Sequence, residues 1–128
     1  MDMKATLKYT GIRVKDLDRS IAFYTKLLGM KQTERTEIKE ADGEAAVLVS
    51  VDGGPSLELN YYNQGSRFDT PYSVGEGLDH LAFHVENLDE FLNEAKKAGS
   101  PQILEIRSGT SRWAYIEDPN GIWVEVFG

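Results

Sequence analysis

Val14-Lys15-Asp16-Leu17-Asp18 returns further along the chain as Val85-Glu86-Asn87-Leu88-Asp89, and this echo decides the fold. The offset between the two copies is 71 residues (85 − 14). Each copy is led in by an alternating stretch, residues 7–14 (LKYTGIRV) and 79–85 (DHLAFHV), which predicts a strand. In the first copy Asp16 or Asp18 can cap a helix striped by Leu17, Ile21, Tyr24 and Leu28, with Gly29 at its C-terminal end. In the second, Asn87 or Asp89 caps a helix striped by Leu88, Leu92, Ala95 and Ala98, stopped by Gly99 and Pro101.

Three strands follow each helix. In the first half they are expected around Lys31–Ile38, Ala46–Val51 and Ser56–Tyr61, broken by the turns at 41–43 and 52–55. In the second they are expected at about 102–107, 112–117 and 122–127, the last two joined by Asp118-Pro119-Asn120-Gly121. The order strand, helix, three strands thus occurs twice, an internal duplication of a βαβββ unit. The expected fold is α+β: a single domain of two modules, about 5–62 and 78–128, joined by a linker at 63–77. The modules should build a curved mixed sheet with the helices outside.

Composition narrows the function classes. The 128-residue chain carries a formal net charge of −7, which argues against a nucleic-acid backbone as partner. It has no cysteine, so disulfides, thiolate nucleophiles and Cys-ligated zinc are excluded. There is no apolar run long enough to cross a bilayer and no signal-peptide core at the N-terminus, so the expected address is cytoplasmic with no membrane partner.

The same offset pairs Tyr9 with His80 and Arg13 with His84, and the closing strands pair Glu58 with Glu125 at an offset of 67 (125 − 58). A pseudo-two-fold axis would relate these pairs. Alternation sorts each strand into two faces. Ile12, Val14, Leu57, Leu59, Leu81, Phe83, Val124 and Val126 form the apolar faces. The opposite faces carry Tyr9 and Arg13; Glu58 and Asn60; His80 and His84; Trp123, Glu125 and Phe127. A lone mid-strand glutamate is ordinarily a solvent-facing residue on a half-buried sheet. Two carboxylates and an imidazole on one face suit a borderline divalent cation such as Ni²⁺, Zn²⁺, Mn²⁺, Co²⁺ or Fe²⁺. Trp113, Tyr115, Trp123, Phe127, Tyr61 and Tyr62 offer an aromatic pocket, or simply sheet packing.

Residues 12–24 with Leu28-Gly29-Met30, then Leu57-Glu58-Leu59, His80-Leu81-Ala82 and residues 117–125, closely resemble glyoxalase I (lactoylglutathione lyase) of the vicinal-oxygen-chelate superfamily. The resemblance implies metal ligands Glu58, His80 and Glu125. It further implies a small-molecule hemithioacetal or α-hydroxycarbonyl substrate, in which a thiol adduct is isomerised through a metal-bound enediolate. Glu125 would move the proton, and Glu58 would hold the metal or serve the opposite face. The fourth position, His or Gln in glyoxalase I, is Tyr9 here. It can coordinate as phenolate, hydrogen-bond to a metal-bound water, or line the site. Arg13, Asn60 and Trp123 are the remaining substrate-binding candidates, and His84 is a supporting residue or further ligand. The resemblance also implies a homodimer whose sites draw on both chains. The alternatives are a metal-free, bleomycin-type sequestering protein, or a dioxygenase or epimerase of the same superfamily.

Overall fold

The structure, a computed structural model, describes residues 8–76 and 78–128, so Leu7 of the first expected strand and Gly77 of the expected linker lie outside the described residues. The chain divides into two compact units between Asp69 and Thr70, inside that linker.

The first module runs β1 (Tyr9–Arg13), α1 (Leu17–Ala22), β2 (Lys31–Ile38), β3 (Gly43–Val49) and β4 (Ser56–Tyr62). Its strands form one four-stranded sheet in the order β1-β4-β3-β2. β1 lies parallel to β4, and the other two pairings are antiparallel. The second module repeats this with β5 (His80–His84), α2 (Leu88–Lys97), β6 (Leu104–Ser108), β7 (Ser111–Glu117) and β8 (Trp123–Phe127), in the order β5-β8-β7-β6. β5 runs parallel to β8.

The duplication extends to the register of the backbone pairs. Gly11 lies opposite Glu58 in the first sheet, and Ala82 lies opposite Glu125 in the second. Both glutamates therefore hold the same place on the central strand of a mixed sheet. A one-residue slip would have turned either side chain to the opposite face.

Helix starts follow the expected chemistry. Asp16 accepts from the Arg19 amide and Asn87 from the Glu90 amide, each satisfying a backbone donor that the first turn leaves open. Gly29 and Gly99 stand past the helix ends with φ of 72° and 88°, a conformation that disfavours a Cβ.

The first helix departs from the expected stripe. After Ala22 it widens into a π-wound segment, Phe23–Leu27. The extra residue per turn rotates the buried face. Phe23 and Tyr24 are consequently both buried, edge to face with ring centroids 4.9 Å apart, while Ile21 and Leu28 are only half-buried. In α2, Leu88 and Ala95 are buried, but Ala98 caps the helix and is exposed.

Two strands also differ from expectation. β3 begins at Gly43 and ends at Val49, because Ser50 to Gly54 close a turn in which Asp52 accepts from the Gly54 amide. β6 begins at Leu104, later than expected, and leaves Ile103, Leu104 and Ile106 exposed.

The apolar faces assign as the alternation predicts, except that Leu81 and Phe83 on β5 are only half-buried. Ile12, Ala46, Leu48, Leu57 and Leu59 are buried in the first module, where α1 packs on β4. Ala114, Ile116, Val124 and Val126 are fully buried in the second. Full burial of each leucine, isoleucine or valine among them contributes roughly 1.5–3 kcal/mol, which fixes which face of each sheet remains for chemistry.

Candidate functional site

In the second module the residues expected to act together do meet. His80 opens β5 and Glu125 centres β8, and parallel pairing brings their side chains to one face. His80 Nε2 lies 3.6 Å from Glu125 Oε1. The other ring nitrogen, Nδ1, lies 2.7 Å from Asp79 Oδ1. A carboxylate at Nδ1 favours the tautomer with its proton there and frees Nε2 as a lone-pair donor.

Tyr115, on β7, is a partner of Glu125 that the sequence marks only as an aromatic. It pairs with Glu125 across the ladder, and its hydroxyl donates a 3.0 Å hydrogen bond to Oε1. Burial, and then the acidic neighbour, push the Tyr115 phenol above its ordinary value, so it stays a proton donor. Its ring stands edge-on to His80 at 5.6 Å and beside Trp123 at 5.6 Å. The clue lay in the period-two spacing of Trp113, Tyr115 and Glu117, but only the β7–β8 register identifies which of them faces the glutamate.

A cleft of about 520 Å³ adjoins this group, lined by His84, Thr110, Trp113, Glu125, Phe127 and Gly128. His84 packs edge-on against Phe127 at 5.4 Å. It forms a wall of the cleft. Trp123 is exposed on the same face as Glu125.

The first module holds Tyr9, Arg13, Glu58 and Asn60 on the face opposite its core. Glu58 is half-buried at mid-strand. Tyr9 is 52% exposed and pairs with Ser56, so its phenol is accessible. Arg13 is engaged by Asp69 at 3.0 Å. Asn60 turns its amide back to the Ile12 carbonyl at 3.4 Å, which ties β4 to β1.

Neither module by itself gathers three His, Asp or Glu side chains among the described residues. The second module supplies two donors suited to a divalent cation. Ligands sharing one ion at bonds of about 2.0–2.2 Å lie roughly 3–3.5 Å apart, close to the spacing of Nε2 and Oε1. The imidazole oriented by Asp79 and the carboxylate oriented by Tyr115 are a donor set that fits such an ion. Glu58 holds the matching mid-strand place in the first module.

A family model described as the glyoxalase/bleomycin resistance protein/dioxygenase superfamily matches residues 6–126. The chain is 35% identical to a lactoylglutathione lyase of Escherichia coli O157:H7, over 94% of this chain and 90% of that one. It is 33% identical to a probable lactoylglutathione lyase of Vibrio parahaemolyticus, over 92% and 86%. Among solved structures, the trypanothione-dependent glyoxalase I of Leishmania major superposes with a TM-score of 0.76 at 31% identity, covering 98% of this chain and 87% of that one. A fosfomycin resistance protein of Listeria monocytogenes shares the fold at a TM-score of 0.73 and 19% identity.

Proposed function

Because the chain belongs to the glyoxalase/bleomycin resistance protein/dioxygenase superfamily, we propose that it is a glyoxalase I-like, metal-dependent lyase acting on a hemithioacetal. The observation that carries the proposal is the pairing of His80 Nε2 with Glu125 Oε1, each oriented from behind by a second residue. A metal-free sequestering protein has no use for that arrangement. The relatives named as lactoylglutathione lyases favour the same reading over sequestration, dioxygenation or epimerisation.

Glu58, His80 and Glu125 would hold the ion, with Tyr9 beside it. When bound, the cation supplies Lewis-acid stabilisation of negative charge developing on the substrate oxygens. Glu125 takes the proton from the thiol-bearing carbon and returns it to the neighbouring carbon, converting the hemithioacetal to a hydroxyacyl thioester. Glu58 holds its place on the first module as ligand and as acceptor for the opposite substrate face. Trp123, Phe127 and Trp113 offer apolar surface on the side of the sheet that carries Glu125. Arg13 and Asn60 stand on the face that receives the thiol. Glutathione is the first thiol to test, since the relatives' name specifies it. Trypanothione is the second, after the Leishmania enzyme.

The proposal includes a cytoplasmic homodimer in which Tyr9 and Glu58 of one chain face His80 and Glu125 of the other. The structure itself shows that no helix among the described residues is long and apolar enough to cross a membrane.

The test is calorimetric titration of Ni²⁺, Zn²⁺ and Mn²⁺ into chelator-stripped protein, beside a Glu58→Ala, Glu125→Ala double variant. Binding near one ion per chain that disappears in the variant, with turnover of a methylglyoxal–glutathione adduct restored by metal, supports the lyase. Binding that is absent, or unchanged in the variant, sinks it.

A further inference from the structure

We infer that Tyr115 is the positioning residue that makes the two glutamates unequal, fixing Glu125 for both cation and proton transfer, while the matching strand of the first module gives Glu58 no such support. The inference rests on the lyase reading and adds a role for a residue outside the expected ligand set.

The two glutamates occupy matched places, Glu58 opposite Gly11 and Glu125 opposite Ala82. The antiparallel neighbour across from each is different. Val47 lies across from Glu58, and Tyr115 lies across from Glu125. A valine side chain has no polar atom. Tyr115 places its hydroxyl 3.0 Å from Oε1, the oxygen that also faces His80 Nε2 at 3.6 Å.

The tyrosine is itself rigid. It is 8% exposed, and its ring is hemmed in by His80 and Trp123. A buried ring on a strand loses little freedom when its hydroxyl makes a bond, so the bond transmits position rather than following it. Oε1 is thereby aimed toward His80, and Oε2 is left to meet the substrate carbon. Nothing comparable on β3 constrains the Glu58 carboxylate, because Val47 stands where the hydroxyl would be. The fold repeats, but the support of the base does not.

The experiment compares wild type with Tyr115→Phe, which keeps the buried ring and removes only the hydroxyl. Ni²⁺ affinity is measured by calorimetry, kcat and KM are measured at saturating Ni²⁺ with the methylglyoxal–glutathione adduct, and Tm is measured without metal. Loss of a group that orients a ligand weakens metal binding or activity by about 10–100-fold. The expected result is Ni²⁺ affinity weakened about tenfold and kcat lowered about tenfold, with KM within about twofold and Tm little changed. Weakened Ni²⁺ binding in Tyr115→Phe upholds the positioning role even where wild type fails to turn over that adduct. Equal affinity and equal kcat in the two proteins overturn the inference and leave the lyase reading standing. A kcat loss matched by a large fall in Tm also overturns it, as a packing effect. Wild type that binds no metal removes the lyase reading, and the inference with it.

Discussion

Arg35 on β2 and Glu105 on β6 occupy the same place in their two sheets and carry opposite charges. Arg35 pairs with Ala46, which pairs with Leu59; Glu105 pairs with Ala114, which pairs with Val126. Each sits beside a partner of reversed sign. Arg35 bonds Glu44 at 3.1 Å, and Glu105 bonds Arg112 at 3.0 Å. In both modules the arginine then reaches the first turn of the helix, Arg35 to Asp18 and Arg112 to Asp89, at 2.7 and 2.6 Å. The acidic residue at the helix start is the constant feature, and the arginine comes from whichever strand carries it. An acidic side chain there also suits the helix dipole.

If the clamp depends on sign and not on which strand carries it, reversal should be tolerated only as a pair. Arg35→Glu alone should destabilise the first module, and adding Glu44→Arg should recover part of the loss. The coupling energy from a double-mutant cycle in urea should be about 0.2–1 kcal/mol, the range for exposed pairs. A coupling of zero would reduce the clamp to a surface coincidence.

The second clamp predicts an acid limit. The Arg112 guanidinium, bonded to both carboxylates, holds Asp89 and Glu105 below their ordinary values of 3.8 and 4.5. A carboxylate depressed in the folded state stabilises fully above its unfolded value, and that contribution is lost as pH falls through the folded one. The clamp therefore contributes fully above about pH 4.5 and fades progressively below it, through and under pH 3.8. Arg112→Gln removes the largest cause of both shifts and leaves only Arg107 beside Glu105. Its acid-unfolding midpoint, followed by circular dichroism, should lie at higher pH than that of wild type. Coincident midpoints would show that the pairs contribute nothing.

Much of this architecture was legible in the sequence because the duplication sets it. The offset of 71 aligned Asp16 with Asn87, and both cap their helices as expected. Period-two alternation put Glu58 and Glu125 on the faces where the structure has them. The misreadings came from features that no periodicity carries. The π-wound segment after Ala22 breaks the 3.6-residue stripe, and the early end of β3 follows from a local Asp52 turn. The role of Tyr115 depends on the register between two strands, which spacing along one strand cannot reveal. The ligand set itself was suggested by resemblance, since Glu58, His80 and Glu125 are far apart in sequence.

The turn before β8 should matter as much as the ligands. Asp118 is 5% exposed, and its Oδ1 accepts 2.8 Å bonds from the amides of both Asn120 and Ile122. Its Oδ2 accepts from the Asn120 amide nitrogen Nδ2 at 2.9 Å. Asp118→Ala would strand these buried donors, at about 2–4 kcal/mol. Because the turn launches β8, Glu125 should shift with it. Thermal unfolding should show the lowered Tm, and metal affinity should fall in the same variant. Wild-type Tm would mean that the turn holds without its carboxylate.

Asp79 tests how far orientation of the histidine matters. Its carboxylate is 90% exposed, so water competes for the 2.7 Å bond to His80 Nδ1. Asp79→Asn should therefore weaken Ni²⁺ binding by no more than about tenfold, the low end for residues that orient a metal ligand. A loss as large as that of His80→Ala would make Asp79 a ligand in its own right.

The shared-site dimer makes a prediction that neither single variant can make alone. Glu58→Ala and Glu125→Ala should each be inactive. If every site takes Glu58 from one chain and Glu125 from the other, a mixed dimer holds one site lacking both glutamates and one site intact. Equal amounts of the two variants, unfolded together and refolded, give dimers half of which are mixed when pairing is random. Activity should then recover to about a quarter of the wild-type value, since half the dimers carry one working site of two. Sites completed within one chain would give no recovery, because every chain in the mixture lacks one of its own glutamates. The same samples, run by light scattering, must show dimers for the comparison to hold, and monomers throughout would refute the shared site directly.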